Sequence, residues 1–238
     1  MKVLIMIPAY NEALNIEKAV KDVTDNTSYD YVVINDCSRD NTEEVCRKNN
    51  FNILSLPINM GLTSGIQLGM KYAYKNGYDV AIQFDGDGQH EAKYLKRLVE
   101  KIEKENFDVV IGSRFVENKK PFSMRMLGSR LISVTIKLTT FKKIKDPTSG
   151  MRAFGRRAIK EFVINNSLTP EPDTIVYMIK KGFKVTEVQV EMKDREFGES
   201  YLNPIKSIKY MTNMILSIIF IRAVTRKYKR GEIIQSSI

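Results

Sequence analysis

The sequence predicts an α/β fold built on a mostly parallel sheet, and two observations support this class. Short, almost wholly apolar runs alternate with longer stretches in which apolar residues recur at helical spacing. Fully apolar strands are typical of a parallel sheet covered by helices on both faces, and the strand–helix alternation supplies its connections. We therefore expect a Rossmann-like sheet followed by a C-terminal amphipathic helix.

The first half of the chain holds the regular part of this alternation. Its predicted elements are a strand at 3–7, a helix at 12–23, a strand at 31–34, a helix at 42–48, a strand at 51–56, a helix at 62–74, a strand at 80–84, a helix at 91–104 and a strand at 108–111. Asn11 is the expected N-cap of the first helix, and Asn76-Gly77 closes the third. In such sheets, ligands bind beyond the carboxyl ends of the strands.

The second half is less regular. It predicts a basic helix at 124–139, a loop at 146–150, a helix at 173–181, a strand at 183–190 and one long helix at 201–228. Within the last helix residues 210–221 are apolar, but about 20 such residues are needed to span a membrane. This segment is either a helix of the core or an interfacial helix that lies on anionic lipid.

The chain is basic, with a formal net charge of +10, and its basic residues are concentrated in residues 119–145 and 222–230. Such surfaces attract phosphorylated substrates, anionic lipid or nucleic acid, although a charge run is also often a solvated face. The sequence has neither an aromatic RNA-binding pattern nor zinc-finger spacing, so nucleic acid is not an expected partner.

An acidic pair, Asp85 and Asp87, directly follows the predicted strand at 80–84. Two carboxylates separated by a glycine suit one hard cation, because Mg²⁺ and Mn²⁺ prefer oxygen ligands and leave coordination positions for phosphates. Gln89 is a candidate for a further oxygen ligand. A plain surface turn is the alternative, since Asp and Gly both favour turns. His90, the only histidine, cannot build a zinc site alone.

Two more polar segments end predicted strands. Residues 8–12 follow the first strand, and Asp36 ends the second. Each alone could be merely a loop with a helix cap, but three such segments at one edge of the sheet favour a shared ligand. The sequence lacks the Gly-x-x-x-x-Gly-Lys loop of P-loop nucleotidases and the Gly-x-Gly-x-x-Gly of dinucleotide dehydrogenases, so both classes are excluded.

Seven segments in order make residues 1–200 resemble the family 2 glycosyltransferases of the GT-A fold, and among them the polyprenyl-phosphate sugar transferases. They are IPAYNE (7–12), VVINDCSRDNT (32–42), NMGLTSG (59–65), DGDGQH (85–90), GSRF (112–115), DPTSGMRAF (146–154) and REFGESYL (195–202). The resemblance implies an inverting enzyme that depends on Mg²⁺ or Mn²⁺ and takes a sugar from a nucleotide diphosphate donor.

The resemblance also implies roles for individual residues. Donor contacts are expected from Pro8, Tyr10, Glu12, Asp36 and Asp85, with Arg195 and Ser200 closing over the donor, and metal contacts from Asp85, Asp87 and Gln89. Acceptor contacts are expected from Arg125, Arg130 and Ser149. The catalytic candidates are Asp87, Arg114, which is expected to face the phosphates, and Asp173. Asp173 is either a base or part of a helix start, and Tyr201 replaces a lysine that often follows the serine in the family.

The expected reaction transfers a sugar, with a UDP-sugar as the favoured donor, to a polyprenyl phosphate. The alternative is a family 2 transferase that acts on a glycan or other hydroxyl acceptor in cell-surface polysaccharide synthesis, with Asp173 as the base. A non-catalytic nucleotide-binding protein is a third interpretation, against which the intact acidic pair speaks. The absence of Trp excludes the Gln-x-x-Arg-Trp signature of processive polysaccharide synthases.

The expected organisation is a catalytic domain at 1–200 and a basic membrane-interface helix and tail at 201–238. The catalytic domain divides into a nucleotide-sugar half that ends at about residue 115 and an acceptor half at 116–200. We expect a cytoplasmic protein that is peripheral at the inner face of the cell membrane. Many membrane-bound relatives carry spanning helices after the catalytic domain, and none follows here, so a small integral-membrane partner is also expected.

Overall fold

The computed structural model describes residues 1–193 and 204–224, and the side chains of all of these except 124–125, 204–208 and 221–224. Within this part of the chain seven strands form one sheet. They are β1 (Val3–Ala9), β2 (Asp30–Asn35), β3 (Ile53–Ser55), β4 (Val80–Gln83), β5 (Val109–Ser113), β6 (Arg152–Gly155) and β7 (Val185–Gln189). Their order is β3-β2-β1-β4-β6-β5-β7, and β6 alone among them runs antiparallel to its neighbours. The predicted, mostly parallel sheet is confirmed.

Helices cover both faces of the sheet, as predicted. They are α1 (Ile16–Asn26), α2 (Thr42–Lys48), α3 (Gly61–Lys75), α4 (Leu95–Glu105), α5 (Met124–Thr140), α6 (Arg156–Ile164), α7 (Pro172–Lys180) and α8 (Pro204–Val224), with a 3₁₀ turn at Ala92–Tyr94. Alternate residues of β1 enter two separate cores. Leu4 and Met6 pack with α3 and α5 to α8, whereas Ile5 and Ile7 pack with α1 and α4.

Two elements were not predicted, and one predicted cap is wrong. The short strand β6 begins with a charged residue, Arg152, which hides its apolar run, whereas α6 carries an amphipathic pattern with Ala158, Ile159 and Phe162 buried on one face. Asn11 does not cap α1. It adopts a left-handed conformation with φ 56°, and the helix begins only at Ile16, after Asn15.

The C-terminal helix α8 belongs to the core on one side. Met214 and Ile218 are buried in the same cluster as Leu4 of β1, and α8 packs against α5 and α7. Its outward side chains Leu216 and Phe220 are 60% and 70% exposed. The predicted helix at 201–228 is therefore seen as Pro204–Val224, and its remaining residues lie outside the described part of the chain. None of the described helices combines the length and apolar character that a membrane span requires.

Helix α5 carries an unusual outer surface. Its exposed apolar residues recur at alternating intervals of four and three, so they form one stripe along the helix. This α5 stripe consists of Leu127, Leu131, Val134 and Leu138, which are 41%, 50%, 53% and 63% exposed, and of Phe141 at the C-cap, which is 88% exposed. The helix was predicted as basic, and its outward face is instead largely apolar, with Lys137 exposed beside the stripe and Lys142 and Lys143 just beyond it.

Candidate functional site

A cavity of about 740 Å³ lies at the carboxyl ends of β1, β2 and β4. The loops after these strands line one part of it. The other part is lined by Ser129 and Ile132 of α5, Tyr210 and Met211 of α8, and Glu171 before α7. One cavity therefore joins the predicted donor edge of the sheet to α5 and α8, each of which exposes several apolar side chains.

The loops after β1 and β2 are tied to each other and form the first wall. Pro8, Tyr10 and Glu12 line the cavity. The backbone N–H of Asn11 donates to Ser38 Oγ at 3.0 Å, and the backbone N–H of Glu12 donates to Thr42 Oγ1 at 2.9 Å. These bonds hold the predicted donor residues in place, and Asn tolerates the left-handed backbone that the turn requires.

Asp36 lines the same wall and also organises it. Its side chain accepts the backbone N–H of Met60 at Oδ1 and that of Gly61 at Oδ2, both at 2.8 Å. Those N–H groups open α3, so the carboxylate caps that helix while it faces the cavity. Asp36 thus lies at the cavity, after β2, but both of its carboxylate oxygens already accept hydrogen bonds from the start of α3.

The acidic pair lines the floor of the cavity and is held from below. Asp85 Oδ1 accepts from Gln83 Nε2 at 3.0 Å, and the backbone N–H of Asp85 donates to His90 Nδ1 at 3.0 Å. Asp87 Oδ1 accepts the backbone N–H of Gln89 at 3.1 Å. His90 is 5% exposed and packs against Phe84, so its side chain is fixed where it can orient the turn that carries the acidic pair.

A divalent cation at this floor would find two carboxylates from the chain. Among the residues that the structure describes, no group of three or more His, Cys, Asp or Glu side chains is suited to hold a metal ion. Gln89 does not line the cavity, and its Nε2 donates to the carbonyl of Lys193 at 3.4 Å. The two carboxylates therefore fit a hard cation whose remaining ligands are water or substrate phosphate oxygens.

Arg114 is held in an ion pair outside the cavity lining. Its Nε and Nη2 donate to the two carboxylate oxygens of Asp146, at 2.7 and 2.9 Å. Asp146 is fully buried, and its backbone N–H donates to Glu187 of β7 at 2.7 Å. Arg114 is not among the residues that line the cavity. It fastens the loop before β6 to β5, and its contact with the donor phosphates stays a prediction.

The predicted acceptor residues are divided. Ser149 lines the cavity and donates to the carbonyl of Gly112, whereas Arg130 lies outside the lining and donates from Nη2 to the carbonyl of Lys120 at 2.6 Å. The side chain of Arg125 and the whole of Arg195 and Ser200 lie outside the described residues.

The predicted base, Asp173, does not reach the cavity either. Its Oδ1 accepts the backbone N–H of Thr174, and its Oδ2 accepts the hydroxyl of Ser217 on α8, both at 2.8 Å. The carboxylate that does line the cavity is Glu171, whose Oε2 accepts the hydroxyl of Tyr210. Burial raises the pKa of Glu171, and burial together with the charge of Glu171 raises the pKa of Tyr210.

Two further cations went unrecognised in the sequence. Arg152 lines the cavity although it is 2% exposed, and it donates from Nε and Nη2 to the carbonyls of Ser149 and Pro147. Lys120 donates to Oγ of Ser129, itself a cavity residue, at 2.8 Å, and burial lowers the pKa of Lys120. A charged residue inside the apolar run of residues 151–154 was the available signal for Arg152.

This fold and this acidic floor define a glycosyltransferase of the GT-A fold. The fold is shared with the solved glucosyl-3-phosphoglycerate synthase from Mycobacterium tuberculosis, in complex with Mn²⁺, uridine-diphosphate-glucose and phosphoglyceric acid. That match has a TM-score of 0.68 and 13% sequence identity, and it covers 94% of this chain and 80% of that one. Residues 4–163 match the model of glycosyl transferase family 2, and the chain belongs to that family.

Two relatives share more of the sequence. The dolichol-phosphate mannosyltransferase of Pyrococcus furiosus is 31% identical over 226 residues, which cover 90% of this chain and 63% of that protein. The UDP-N-acetylglucosamine–dolichyl-phosphate N-acetylglucosaminyltransferase of Methanococcus voltae is 29% identical over 179 residues, which cover 66% of this chain and 71% of that protein.

Proposed function

We propose that this glycosyltransferase moves a sugar from a nucleoside diphosphate, UDP in the first instance, to a polyprenyl phosphate at a membrane surface, with inversion at the anomeric carbon. One observation carries the proposal. The cavity that begins at Asp85 and Asp87 ends against α5 and α8, each of which exposes several large apolar side chains. The two relatives named for dolichol-linked transfer support the acceptor class, and one of them is named for a UDP-sugar.

The acidic floor is assigned to the donor diphosphate. A Mg²⁺ or Mn²⁺ ion bound there supplies positive charge that stabilises the leaving nucleoside diphosphate. Asp85 and Asp87 hold that ion, while Gln83 and His90 keep Asp85 oriented toward it. Pro8, Tyr10, Glu12 and Asp36 enclose the nucleoside at the other end of the wall. Positioning of this kind lowers the barrier without any covalent step on the protein.

The acceptor is assigned to the part of the cavity beside α5. A lipid phosphate is already anionic, so it needs to be positioned and needs no base. The ammonium of Lys120, held on Ser129 at the edge of the cavity, is a cation suited to that phosphate. Arg125 and Arg130 remain proposed acceptor contacts, although Arg130 is engaged with the carbonyl of Lys120.

The α5 stripe is the surface proposed to lie on the membrane. The stripe aligns five apolar side chains and is followed by Lys142 and Lys143. This arrangement suits a membrane surface, where the apolar side chains contact the acyl chains and the lysines contact anionic headgroups. Peripheral association of this kind places the end of the cavity next to the lipid that carries the phosphate. A location at the cytoplasmic face follows from the use of nucleotide-activated donors and is part of the same proposal.

A hydroxyl acceptor is the second candidate, and Glu171 is the observation that favours it. This carboxylate lines the cavity, and its raised pKa suits a group that takes up a proton. On that interpretation Glu171, and not Asp173, is the base.

The test is a transfer assay with purified protein, Mn²⁺, a panel of UDP- and GDP-sugars, and either undecaprenyl phosphate or a glycan as acceptor. We expect nucleotide release that requires the lipid phosphate, is abolished by EDTA and falls by ~10²-fold or more in Asp87→Ala. Release that proceeds equally well in EDTA, or that responds only to the glycan, would overturn the metal or the acceptor assignment respectively.

A further inference from the structure

Three buried side-chain atoms of the described residues have no hydrogen-bond partner, and two of them belong to the cavity floor. They are Oε1 of Gln83 and Nη1 of Arg152, whereas the third, Oε1 of Gln67, belongs to a residue that does not line the cavity. Leaving a buried polar group unpaired costs about 1–3 kcal/mol, and more for a charged group. Such an atom beside a cavity therefore points to a partner that arrives with a ligand.

The two atoms are neighbours in the sheet. Gln83 at the end of β4 and Arg152 at the start of β6 are directly paired in the antiparallel register. Directly opposed residues project to the same face, with Cβ atoms about 4.5–5.5 Å apart. The unpaired oxygen is an acceptor and the unpaired N–H group is a donor. A hydroxyl group can serve both at once, because it donates one hydrogen bond and accepts others.

Glu171 is a third polar group, and together with Gln83 and Arg152 it forms one corner of the cavity. Glu171 lines it, and its Oε2 accepts from Tyr210 on α8. Among the described residues its Oε1 has no hydrogen bond, so that oxygen is a further acceptor. The corner thus draws on three separate parts of the fold: the sheet, the segment before α7, and the C-terminal helix.

The charges at this corner favour a neutral ligand over an anionic one. The guanidinium of Arg152 interacts most strongly with the carboxylate of Glu171, which offsets its single charge, because Asp146 is paired with Arg114 and Asp85 is assigned to the cation. A second phosphate placed here would be repelled by Glu171. Hydroxyl groups carry no charge and satisfy both the donor and the acceptors.

We propose that Gln83, Arg152 and Glu171 form a subsite that binds hydroxyl groups of the sugar carried by the donor, and so help to select that sugar. The proposal rests on the assignment of the donor diphosphate to Asp85 and Asp87. Gln83 Nε2 already contacts Asp85, at 3.0 Å, so a sugar attached to that diphosphate lies beside this corner. The two unpaired atoms are buried in residues that line the cavity, so contact with a ligand requires a shift of the side chains.

The chain offers a matched control for each variant. Glu161 accepts the hydroxyl of Tyr177 as Glu171 accepts that of Tyr210, but it lies outside the cavity lining. Arg157 pairs with Asp108 just before β5, and it too lies outside the lining. Glu171→Gln is therefore compared with Glu161→Gln, and Arg152→Lys with Arg157→Lys. Both pairs keep side-chain size or charge type, and melting temperatures check that each protein is folded.

The experiment measures binding by calorimetry in Mn²⁺, first of UDP and UDP-glucose, then of GDP and GDP-mannose. We expect Glu171→Gln and Arg152→Lys to weaken binding of the preferred nucleotide-sugar about tenfold, while the affinity for its nucleoside diphosphate changes by less than about twofold. The controls should change neither. With a deoxy donor that lacks the bound hydroxyl, the difference between wild type and variant should disappear.

Other outcomes overturn the inference in distinguishable ways. Equal weakening of UDP and UDP-glucose would mean that the two residues only support the floor. Unchanged affinities for both UDP and UDP-glucose in Glu171→Gln would mean that water alone fills the corner. If no nucleoside diphosphate binds the wild type, the proposed function itself is wrong, and the sugar subsite falls with it.

Discussion

A methyl group at Gly150 would lie 2.1 Å from Oδ2 of Asp85, so the backbone of the loop before β6 lies directly against the acidic floor. No side chain fits between the two residues without displacing the carboxylate. This close approach makes the loop at 146–150 part of the wall that shapes the predicted metal site, although it supplies no carboxylate to it.

Gly150→Ala is therefore expected to damage the site more than the fold. The added methyl group must push Asp85 aside, and loss of such an electrostatic element typically costs ~10²-fold or more in rate. Overpacking of this size costs about 1–3 kcal/mol of stability. Transfer rate and Mn²⁺ affinity are the measurements. Gly155→Ala, where the nearest atom of Ile102 lies at 3.3 Å, is the control. Wild-type Mn²⁺ affinity in Gly150→Ala would contradict the close contact.

Arg114 is expected to act on stability. Asp146 is fully buried, so removal of its partner in Arg114→Ala leaves an uncompensated buried charge, at a cost of about 3–5 kcal/mol in unfolding free energy. The double variant Arg114→Ala with Asp146→Ala should recover part of this loss. Urea denaturation provides the values. If Arg114→Ala is as stable as wild type but loses transfer, the original expectation that it faces the phosphates is the better one.

Glu171 and Asp173 separate the two acceptor classes. With a lipid phosphate as acceptor, Asp173→Asn and Glu171→Gln should both keep turnover within about tenfold at saturating donor, since no proton must be removed. With a hydroxyl acceptor, Glu171→Gln should lose ~10²–10⁴-fold, as a missing general base does. Rates are measured with each acceptor under the same Mn²⁺ and donor conditions. A dead Asp173→Asn beside an active Glu171→Gln would show that Asp173 is the base after all.

The α5 stripe should enter the interface of anionic vesicles. The chain has no Trp, so a single Trp at Leu131 reports this contact through its fluorescence. We expect a blue shift for Leu131→Trp with anionic vesicles and none for Lys96→Trp on α4, which covers the opposite face of the sheet. Leu131→Glu should reduce vesicle binding and transfer to long-chain lipid, and should leave nucleotide binding unchanged because Leu131 is exposed.

Truncation within α8 would test membrane contact less specifically than these substitutions. Met214 and Ile218 are buried in the main core, and Tyr210 and Met211 line the cavity. A chain cut after Tyr210 would lose core packing as well as any membrane contact. If Leu131→Trp shows no shift and Leu131→Glu binds vesicles as wild type does, the stripe is not the membrane surface.

The parts of the molecule that follow from local pattern were predicted well. The apolar runs of β1 and β4 and the turn at Asp85 and Asp87 carry their own signals within a few residues. β6 does not, because it is a strand only through its pairing with β4 and β5. The motifs likewise singled out Arg114 and Asp173 as candidate site residues, but they did not reveal which side chains these two residues contact in the fold.

Those partners lie far along the chain. Asp146 is 32 residues from Arg114, and Ser217 is 44 residues from Asp173. Whether a charged side chain reaches the cavity or is held beside it depends on contacts at this range, which local spacing does not contain. Glu171 was missed as a site residue for the same reason, since its partner Tyr210 is 39 residues away.

The reversed strand β6 has a consequence for how the chain folds as it is synthesised. β4 stays an open edge of the sheet until residues 152–155 arrive and pair with it, about 70 residues later in sequence. A ribosome that has delivered only the first 115 residues has therefore released a sheet with an apolar, unpaired edge strand. That edge strand is prone to join other chains, so the first 115 residues are poorly suited to exist alone.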